Sequence, residues 1–102
     1  MRPKEFRDWL SSTGFAYKPI SDCISRCKKV ESTLRLDLDE EYLKDKGEAV
    51  LESMKYSIND EKNNKKAPKG FKFKSGVKIR LRLMDLRSAT KKYFTFCEKK
   101  NT

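Results

Sequence analysis

The stretch SGVKIRLRLMDLRSATKKYFTFCEK, residues 75–99, decides the fold of this chain. It contains no proline, and its only glycine, Gly76, lies near its beginning. At the α-helical repeat of about 100° per residue, its apolar residues fall on one broad stripe. The members of this stripe are Ile79, Leu83, Leu86, Ala89, Tyr93, Phe96 and Cys97. We therefore predict a long C-terminal helix against which the rest of the chain packs.

Two helices are predicted in the first third of the chain. In residues 2–12, Phe6, Trp9 and Leu10 have the i, i+3, i+4 spacing of a buried helix face. A second helix, which Pro19 is expected to begin, has the cleanest amphipathic pattern in the chain. Its apolar stripe consists of Ile20, Cys23, Ile24, Cys27, Val30 and Leu34. Both stripes are expected to face the core.

Shorter helices are predicted in the middle of the chain. Asp37 or Asp39 is a plausible N-cap for a third helix over residues 40–46. Gly47 is expected to separate this helix from a fourth one over residues 48–57. The residues of the fourth helix region that are expected to face inward are Val50, Leu51, Met54 and Ile58.

Glu31 lies near the apolar stripe of the second helix, where a carboxylate is unexpected. Two interpretations are open. Either the side chain is partly buried and ties two helices together through a hydrogen bond or an arginine, or the last turn of the helix is frayed and solvated.

The composition indicates one small domain, residues 1–102. The chain is 36% hydrophobic and 39% charged, so the core must come from few apolar residues at regular spacing. That favours an all-α fold, because helices present Lys, Arg and Glu on their outer faces. We predict a compact bundle of four to five helices with a long C-terminal helix and a lysine-rich loop before it.

The predicted loop is NDEKNNKKAPKG, residues 59–70. We expect it to be mobile, because Asn-Asn, Pro68 and Gly70 disfavour regular structure and the lysines favour solvent. Phe71 and Phe73 follow it, alternating with lysines. They either pin the loop to the core or form a short extended piece.

The positive charge is confined to one part of the chain. Residues 1–61 hold 11 basic and 13 acidic residues, a net of −2, and residues 62–102 hold 14 basic and 2 acidic residues, a net of +12. This asymmetry favours a polyanionic partner, with nucleic acid first and an anionic membrane surface second. A merely soluble basic surface is the alternative.

The candidate nucleic-acid-binding residues are basic residues of the loop, of the segment after it and of the C-terminal helix. Loop lysines would contact phosphates, and helix arginines would reach backbone or base edges. The candidates are Lys65, Lys66, Lys69, Lys72, Lys74, Lys78, Arg80, Arg87 and Lys91. Lys62, Arg82 and Lys92 belong to the same basic run. A solvated helix face is the alternative interpretation.

The first half of the C-terminal helix is apolar on a second side. Val77, Leu81 and Met84 lie roughly opposite the main stripe. We expect this side to be sandwiched between other helices, since a central helix is common in small bundles. The alternative is a self-association or protein-binding surface.

The residues that carry most catalytic chemistry are missing or poorly spaced. There is no histidine, which removes the common catalytic triads and the commonest zinc ligand. Cys23, Cys27 and Cys97 fall on apolar stripes and are expected to act as small core hydrophobes. The acidic residues at 37–45 match no calcium loop and are expected to cap helices. We predict no catalytic residues, no metal site and no cofactor.

The sequence also bears on location. No apolar run approaches the about 20 residues that span a bilayer, and MRPKEFRDW is not a signal peptide. An odd number of cysteines in a lysine-rich chain favours the reducing cytoplasm. We expect a cytoplasmic protein without a membrane partner.

The first two helices resemble a known family. FRDWL at residues 6–10, GF at 14–15, IS at 20–21 and the amphipathic run to Val30-Glu31 resemble the opening of the SAM-like core-binding domain of tyrosine recombinases (phage integrases). There a motif F-x-x-W/Y-L is followed by G-x-S-x-x-T-I. Here Lys18-Pro19 stands where that family usually has a serine or threonine cap.

The C-terminal helix carries a second likeness. LRSATKKYFTF at residues 86–96 is similar to the segment YRSAVKKYLxF of related small helical domains in bacterial nuclease-linked and mobile-element proteins. The chain lacks the recombinase arginine-histidine-arginine set and a nucleophilic tyrosine in context. The resemblance implies an all-α bundle that clamps over DNA, from a phage or other mobile element.

These observations predict a non-enzymatic nucleic-acid-binding helical module, with duplex DNA favoured over RNA. The alternative is a small protein-interaction module, such as a phage-encoded inhibitor or adaptor of a host protein, in which Val77, Leu81 and Met84 form the contact. The sequence carries no signal for the oligomeric state.

Overall fold

Six helices are formed by the residues that the computed structural model describes, which are residues 1–68, 70–74 and 77–100. In chain order they are α1 (Pro3–Ser12), α2 (Tyr17–Leu34), α3 (Leu38–Asp45), α4 (Glu48–Ser53), α5 (Ile58–Lys62) and α6 (Ile79–Lys100). No strand occurs in this part of the chain. The all-α class and the long C-terminal helix are therefore confirmed. The five-residue α5 adds little more than one turn to the four to five helices expected.

The C-terminal helix α6 is the element on which the other five pack. All members of its predicted apolar stripe are buried except Ile79, which is partly buried. Thr90 and Phe94 are buried as well. Residues 75 and 76 of the stretch quoted above lie outside the described part of the chain, and the helix itself begins at Ile79.

An aromatic cluster joins α1 to α6. The ring of Phe6 lies edge-on to that of Tyr93, with centroids 4.9 Å apart, and 5.4 Å from that of Phe96. Phe6, Tyr93 and Phe96 are fully buried, while Trp9 is partly buried and stacks on Phe6 at 6.2 Å. Such aromatic pairs contribute about 0.5–1.5 kcal/mol beyond the burial of their area. The cluster fixes which side of α6 faces inward.

Helix α2 begins two residues earlier than predicted, at Tyr17 rather than at Pro19. Pro19 is then the third residue of the helix, where a missing N–H costs nothing because the first-turn donors have no partner within the helix. The apolar stripe of α2 is buried, and only Leu34 at its end is partly exposed. All three cysteines are unpaired and buried, so their expected place in the core is confirmed.

Glu31 is held by hydrogen bonds, which decides between its two interpretations. Its Oε2 accepts from the backbone N–H of Leu38 at 3.0 Å and from the α-amino group of Met1 at 3.1 Å. It therefore does tie elements together, although the partners are a backbone amide and the N-terminus rather than an arginine. Asp37, not Asp39, caps α3, since its Oδ1 accepts from the N–H of Asp39 at 2.8 Å.

The segment from 48 to 70 departs from the prediction. Helix α4 ends at Ser53, and Ile58, which we expected to face inward, is 57% exposed. A separate helix, α5, occupies the beginning of the predicted loop. A capping box explains it: the hydroxyl of Ser57 accepts from the N–H of Asp60 at 3.1 Å, and the Asp60 carboxylate accepts from the N–H of Ser57 at 2.9 Å. The i, i+3 spacing of Ser57 and Asp60 marks a helix start that the hydrophobic pattern misses.

Phe71 pins the end of the predicted loop to the core. Its side chain is only 6% exposed, and its ring stacks on that of Phe73 at 6.3 Å. The pinning interpretation of these two phenylalanines is therefore confirmed.

Asp39, in the first turn of α3, joins α1, α3 and α6. The hydroxyl of Tyr93 donates to Asp39 Oδ1 at 2.6 Å, and the guanidinium of Arg2 lies 3.2 Å from the same oxygen. Arg2 also donates its backbone N–H to the Tyr93 oxygen at 2.8 Å. Burial alone would raise the pKa of Asp39, but these donors and the Met1 ammonium hold it below its usual range. The carboxylate is thus ionised and paired in the folded state.

The α-amino group of Met1 lies among three carboxylates, 3.0 Å from Asp37, 3.1 Å from Glu31 and 3.1 Å from Asp39. Burial lowers the pKa of this ammonium, but the hydrogen bonds from it to the carboxylates outweigh burial and raise the pKa to about 10. A pKa raised above the ordinary 8.0 of the group stabilises the fold fully below pH 8.

We predict that the free energy of unfolding falls by about 1 kcal/mol between pH 8 and pH 10, as the ammonium loses its proton; solvent screening keeps the effect below what the full pKa difference would give. Thermal unfolding followed by circular dichroism measures it. A chain acetylated at the Met1 α-amino group is the control, and it is expected to be less stable at pH 7 and to lack this pH dependence. The same loss in the acetylated chain would contradict the prediction.

Gly47 is required by a close approach as well as by its backbone angle. Its φ is 81°, and a Cβ added to it would lie 2.2 Å from the ring of Phe94, which is buried between Tyr42 and Tyr93. Gly14 has a similar φ of 95°, but a Cβ there would meet nothing within 4 Å. An alanine at Gly14 would therefore introduce backbone strain alone, whereas an alanine at Gly47 would introduce backbone strain and a steric clash with Phe94.

We predict that Gly47→Ala destabilises the fold by about 3 kcal/mol and Gly14→Ala by about 1 kcal/mol, since only the first adds a steric clash to the strain. Urea unfolding of the two variants and the parent chain gives both values. Equal losses at the two positions would show that Phe94 moves aside without cost.

Candidate nucleic-acid interface

One side of α6 is left uncovered by the other helices. We call it the outer side of α6, and it consists of the exposed residues Leu81, Arg82, Met84, Asp85, Ser88, Lys91 and Thr95. It lies opposite the buried stripe, so its direction follows from the packing of Tyr93 and Phe96 in the core. Asp85 is its only acidic member.

Arg80 and Arg87 lie on the flank of α6 that faces α4 and α5, and the fold already uses both of them. Arg80 Nε donates to Glu61 on α5 at 3.0 Å. Arg87 Nε donates to the carbonyl oxygen of Leu51 on α4 at 3.2 Å. Both side chains are partly buried, and Lys91, one turn beyond Arg87, is exposed. Of these three candidates, Lys91 is the one whose side chain has no hydrogen-bond or ion-pair partner among the described residues.

The candidate Lys65 lies close to the same flank. Its ammonium is 3.8 Å from Asp60, and its carbonyl oxygen accepts from the hydroxyl of Tyr56. Tyr56 lines a groove between α5 and α6 together with Arg80 and Arg87. Lys66 is exposed beside Lys65, and Lys69 lies outside the described residues. The structure thus brings Lys65, Arg80 and Arg87 to one side of α6.

Lys72, Lys74 and Lys78 are carried to the other side of α6, next to α2. All three are exposed. Lys72 and Lys74 flank Phe73, whose ring lies 5.7 Å from the ammonium of Lys29 on α2. Lys78 lies one turn before Arg82, whose N–H donates to the Lys78 carbonyl at 3.1 Å. The eight candidates within the described residues therefore do not form one cluster but flank α6 on two sides.

The junction of α2 and α6 forms a basic groove that the sequence did not indicate. We call it the α2–α6 groove; its charged members are Asp22, Arg26 and Lys29 on α2 and Arg82, Asp85 and Lys92 on α6. An aromatic ring lies at each end, Phe15 beside Lys92 and Phe73 beside Lys29. Four cations and two carboxylates give it a net positive charge.

Arg26 and Lys29 are the residues of this groove that sequence reasoning missed. They lie on the polar side of α2, in a part of the chain whose net charge is negative, so the charge distribution along the sequence does not single them out. The signal available was their spacing with Asp22, at i+4 and i+7, which puts all three on one edge of the apolar stripe. That edge becomes a groove only because α2 packs against α6.

No ion pair within 4 Å neutralises Arg26, Lys29, Arg82, Lys91 or Lys92 in the described part of the chain. Lys29 and Lys92 are held loosely by the rings of Phe73 and Phe15. By contrast, most acidic side chains of α3 and α5 already have partners within the fold. These five cations of α2 and α6 are therefore available to an external anion.

The second apolar side of the C-terminal helix region, formed by Val77, Leu81 and Met84, is not covered by other helices as we expected. Leu81 is 38% exposed and Met84 54% exposed, while Val77 is partly buried. The expectation is wrong because the helices that pack on α6 cover its buried stripe and leave Leu81 and Met84 exposed. Met84 instead borders the α5–α6 groove, of about 350 Å³, together with the exposed Ile58.

The acidic residues before and within α3 cap helices, as the sequence predicts. Asp37 caps α3, and the carboxylate of Asp45 accepts from the N–H groups of Gly47 and Ala49, each at 3.0 Å. Among the described residues, no three His, Cys, Asp or Glu side chains come close enough to hold a metal ion. Burial and the Asp39 carboxylate raise the pKa of Cys97 to about 11, so this thiol is protonated at neutral pH.

No protein-family model, curated protein or solved structure matches the chain. The resemblance to SAM-like core-binding domains therefore stays a prediction. No helix in the described part of the chain is long and apolar enough to cross a membrane.

Proposed function

We propose that this chain is a non-enzymatic nucleic-acid-binding module whose ligand is duplex DNA. The observation that carries the proposal is the row of unpaired cations on the outer side of α6 and along the α2–α6 groove. Arg82, Lys91 and Lys92 come from α6, and Arg26 and Lys29 come from α2. Cations that the fold does not neutralise can pair with DNA phosphates, and the release of the counterions condensed on those phosphates favours binding.

The dimensions of α6 suit a duplex. A helix of 22 residues is about 33 Å long, close to one turn of B-DNA. The cations from Arg82 to Lys92 span about 15 Å of it and can follow phosphates along one groove edge. Lys72, Lys74 and Lys78 on one side, and Lys65 and Lys66 on the other, would then extend the contact to neighbouring phosphates.

In this arrangement Arg80 and Arg87 have a different role from the one the sequence suggested. Arg87 satisfies the Leu51 carbonyl in α4, and Arg80 pairs with Glu61 in α5. They hold α4 and α5 against α6 and place Lys65 beside it. Their contribution to DNA binding is therefore mainly positioning, with a weaker charge effect.

A second function is favoured by the exposed apolar residues. Leu81, Met84 and Ile58 lie near one another at the beginning of α6 and of α5, and exposed side chains of this size are the usual anchors of protein interfaces. This candidate is a protein-interaction module in which Val77 also takes part.

The DNA proposal is tested by fluorescence anisotropy with a labelled duplex of about 20 base pairs at two salt concentrations. Arg82→Gln is expected to weaken binding and to reduce the slope of log affinity against log salt by about 0.9. Lys4→Gln is the matched control, because Lys4 is an exposed cation on α1, away from α6. It removes the same charge and is expected to leave slope and affinity nearly unchanged.

Binding that is absent, insensitive to salt or equally weakened by both variants contradicts the DNA proposal.

The second candidate makes a separate prediction for Met84→Glu. If the apolar surface joins copies of this chain, sedimentation velocity is expected to show a dimer for the parent chain and a monomer for the variant. A parent chain that is monomeric at about 100 μM contradicts self-association, since any dimer would then have a binding free energy weaker than about −5.5 kcal/mol.

A further inference from the structure

A cavity of about 240 Å³ lies where α1, α2 and α6 meet, at one end of the α2–α6 groove. Leu10, Cys23 and Ala89 form its apolar floor, and Phe15 and Pro19 lie at its mouth. This volume is below the roughly 300–1,000 Å³ of sites for drug-sized ligands. It suits a ligand with a single ring system.

Charged side chains of both signs surround this cavity without being paired to one another. They are Asp22, Arg26, Asp85 and Lys92. Lys92 donates to the hydroxyl of Ser88 at 3.3 Å and lies 5.8 Å from the centre of the Phe15 ring. Within the described part of the chain, Asp22, Arg26 and Asp85 have no hydrogen-bond or ion-pair partner for their side chains, although Asp22 and Arg26 are partly buried.

Partly buried charges without partners cost free energy, and a ligand that pairs with both signs would remove that cost. Such a ligand needs N–H donors for the carboxylates and anionic oxygens for Arg26 and Lys92. It also needs a flat face, because the exposed ring of Phe15, 41% accessible, lies at the mouth. A nucleotide has all three features: a phosphate, a base with N–H donors and a π face that stacks on aromatic rings.

The carboxylates select among the bases. A carboxylate accepts two parallel N–H bonds most strongly, and it has no proton to donate when ionised. Guanine is the base whose Watson–Crick edge presents two adjacent N–H donors. Cytosine and adenine present one donor beside an acceptor, and thymine one donor between two acceptors. Asp22 or Asp85 at the cavity wall therefore favours guanine.

We propose that the α1–α2–α6 cavity binds one unpaired guanine nucleotide of the nucleic acid, with its base on Phe15, its N–H edge on Asp22 or Asp85 and its phosphate on Arg26 and Lys92. The inference rests on the proposed nucleic-acid binding and adds a preference within it. The cavity is continuous with the rest of the α2–α6 groove, because Arg26 and Asp85 line both. The flanking strand would therefore run along Lys29 and Arg82.

The test compares three labelled duplexes of about 20 base pairs: one fully paired, one with a single unpaired guanine and one with a single unpaired thymine at the same place. We expect the parent chain to bind the unpaired-guanine duplex about tenfold more tightly than the paired one, the size of one base–aromatic stacking contact. For the unpaired-thymine duplex, the expected gain in affinity over the paired duplex is less than about threefold, which is half of the tenfold gain on a logarithmic scale.

Two variants separate the cavity from the basic surface. Phe15→Ala is expected to abolish the preference and to keep the affinity for the paired duplex. Tyr17→Ala is the matched control, because Tyr17 is an aromatic residue of the same α1–α2 junction, 77% exposed, that does not line the cavity. It is expected to retain the preference. Asp22→Asn is expected to reduce the advantage of guanine over thymine.

The possible failures are distinguishable. Equal affinity of the parent chain for all three duplexes overturns the cavity proposal and leaves DNA binding intact. A preference that Phe15→Ala retains also overturns it, since the unpaired base is then bound elsewhere. Absence of binding to every duplex overturns the proposed function itself, and with it the cavity proposal.

Discussion

The carboxylate of Asp39 is the interaction on which the arrangement of this bundle depends. It accepts a hydrogen bond from Tyr93 on α6, pairs with Arg2 just before α1, and lies 3.1 Å from the Met1 ammonium. A partly buried carboxylate is tolerated only when such partners surround it, and here they come from the N-terminus and from α6, both far from Asp39 in the chain. The cluster can therefore form only when α1, α3 and α6 meet. The hydroxyl and the ring of Tyr93 both hold this side chain toward the core. They therefore fix the rotation of α6 about its own axis relative to the other helices.

That rotation decides which basic side chains are free. The inward position of Tyr93 and Phe96 turns Arg82 and Lys91 outward and places Lys92 against α2. It also turns Arg80 and Arg87 toward α4 and α5, where Glu61 and a backbone carbonyl engage them. The same helix thus uses two arginines to hold the bundle and leaves Arg82, Lys91 and Lys92 without an ion-pair partner in the described part of the chain. The distinction between the two groups depends on tertiary contacts, because all of these residues look alike in the sequence.

The proposed duplex contact and the proposed guanine site belong to one surface. The outer side of α6 supplies charge without partners, and the α2–α6 groove adds aromatic rings at both ends. Charge alone recognises any polyanion, whereas a cavity bordered by carboxylates and Phe15 discriminates between bases. The exposed residues Leu81 and Met84 lie on the same helix, so a partner protein at that surface would compete with the duplex for access to α6. The two candidate functions are therefore connected by geometry.

Four features could be predicted without the structure: the helical class, the buried stripe of α6, the cysteines in the core and the capping of α3. Each of them depends on local spacing or local hydrogen bonds. The start of α2 and the existence of α5 were predicted wrongly for a related reason. A proline within the first turn and a capping box are local features, but the hydrophobic periodicity does not reveal them. Only the tertiary structure decided that Glu31 and Asp39 hold the Met1 ammonium, that Leu81 and Met84 stay exposed, and that Arg26 and Lys29 line a groove with Arg82 and Lys92. Those outcomes depend on how α2 and α6 are rotated against each other, and that rotation is set by contacts between residues more than 50 positions apart in the chain.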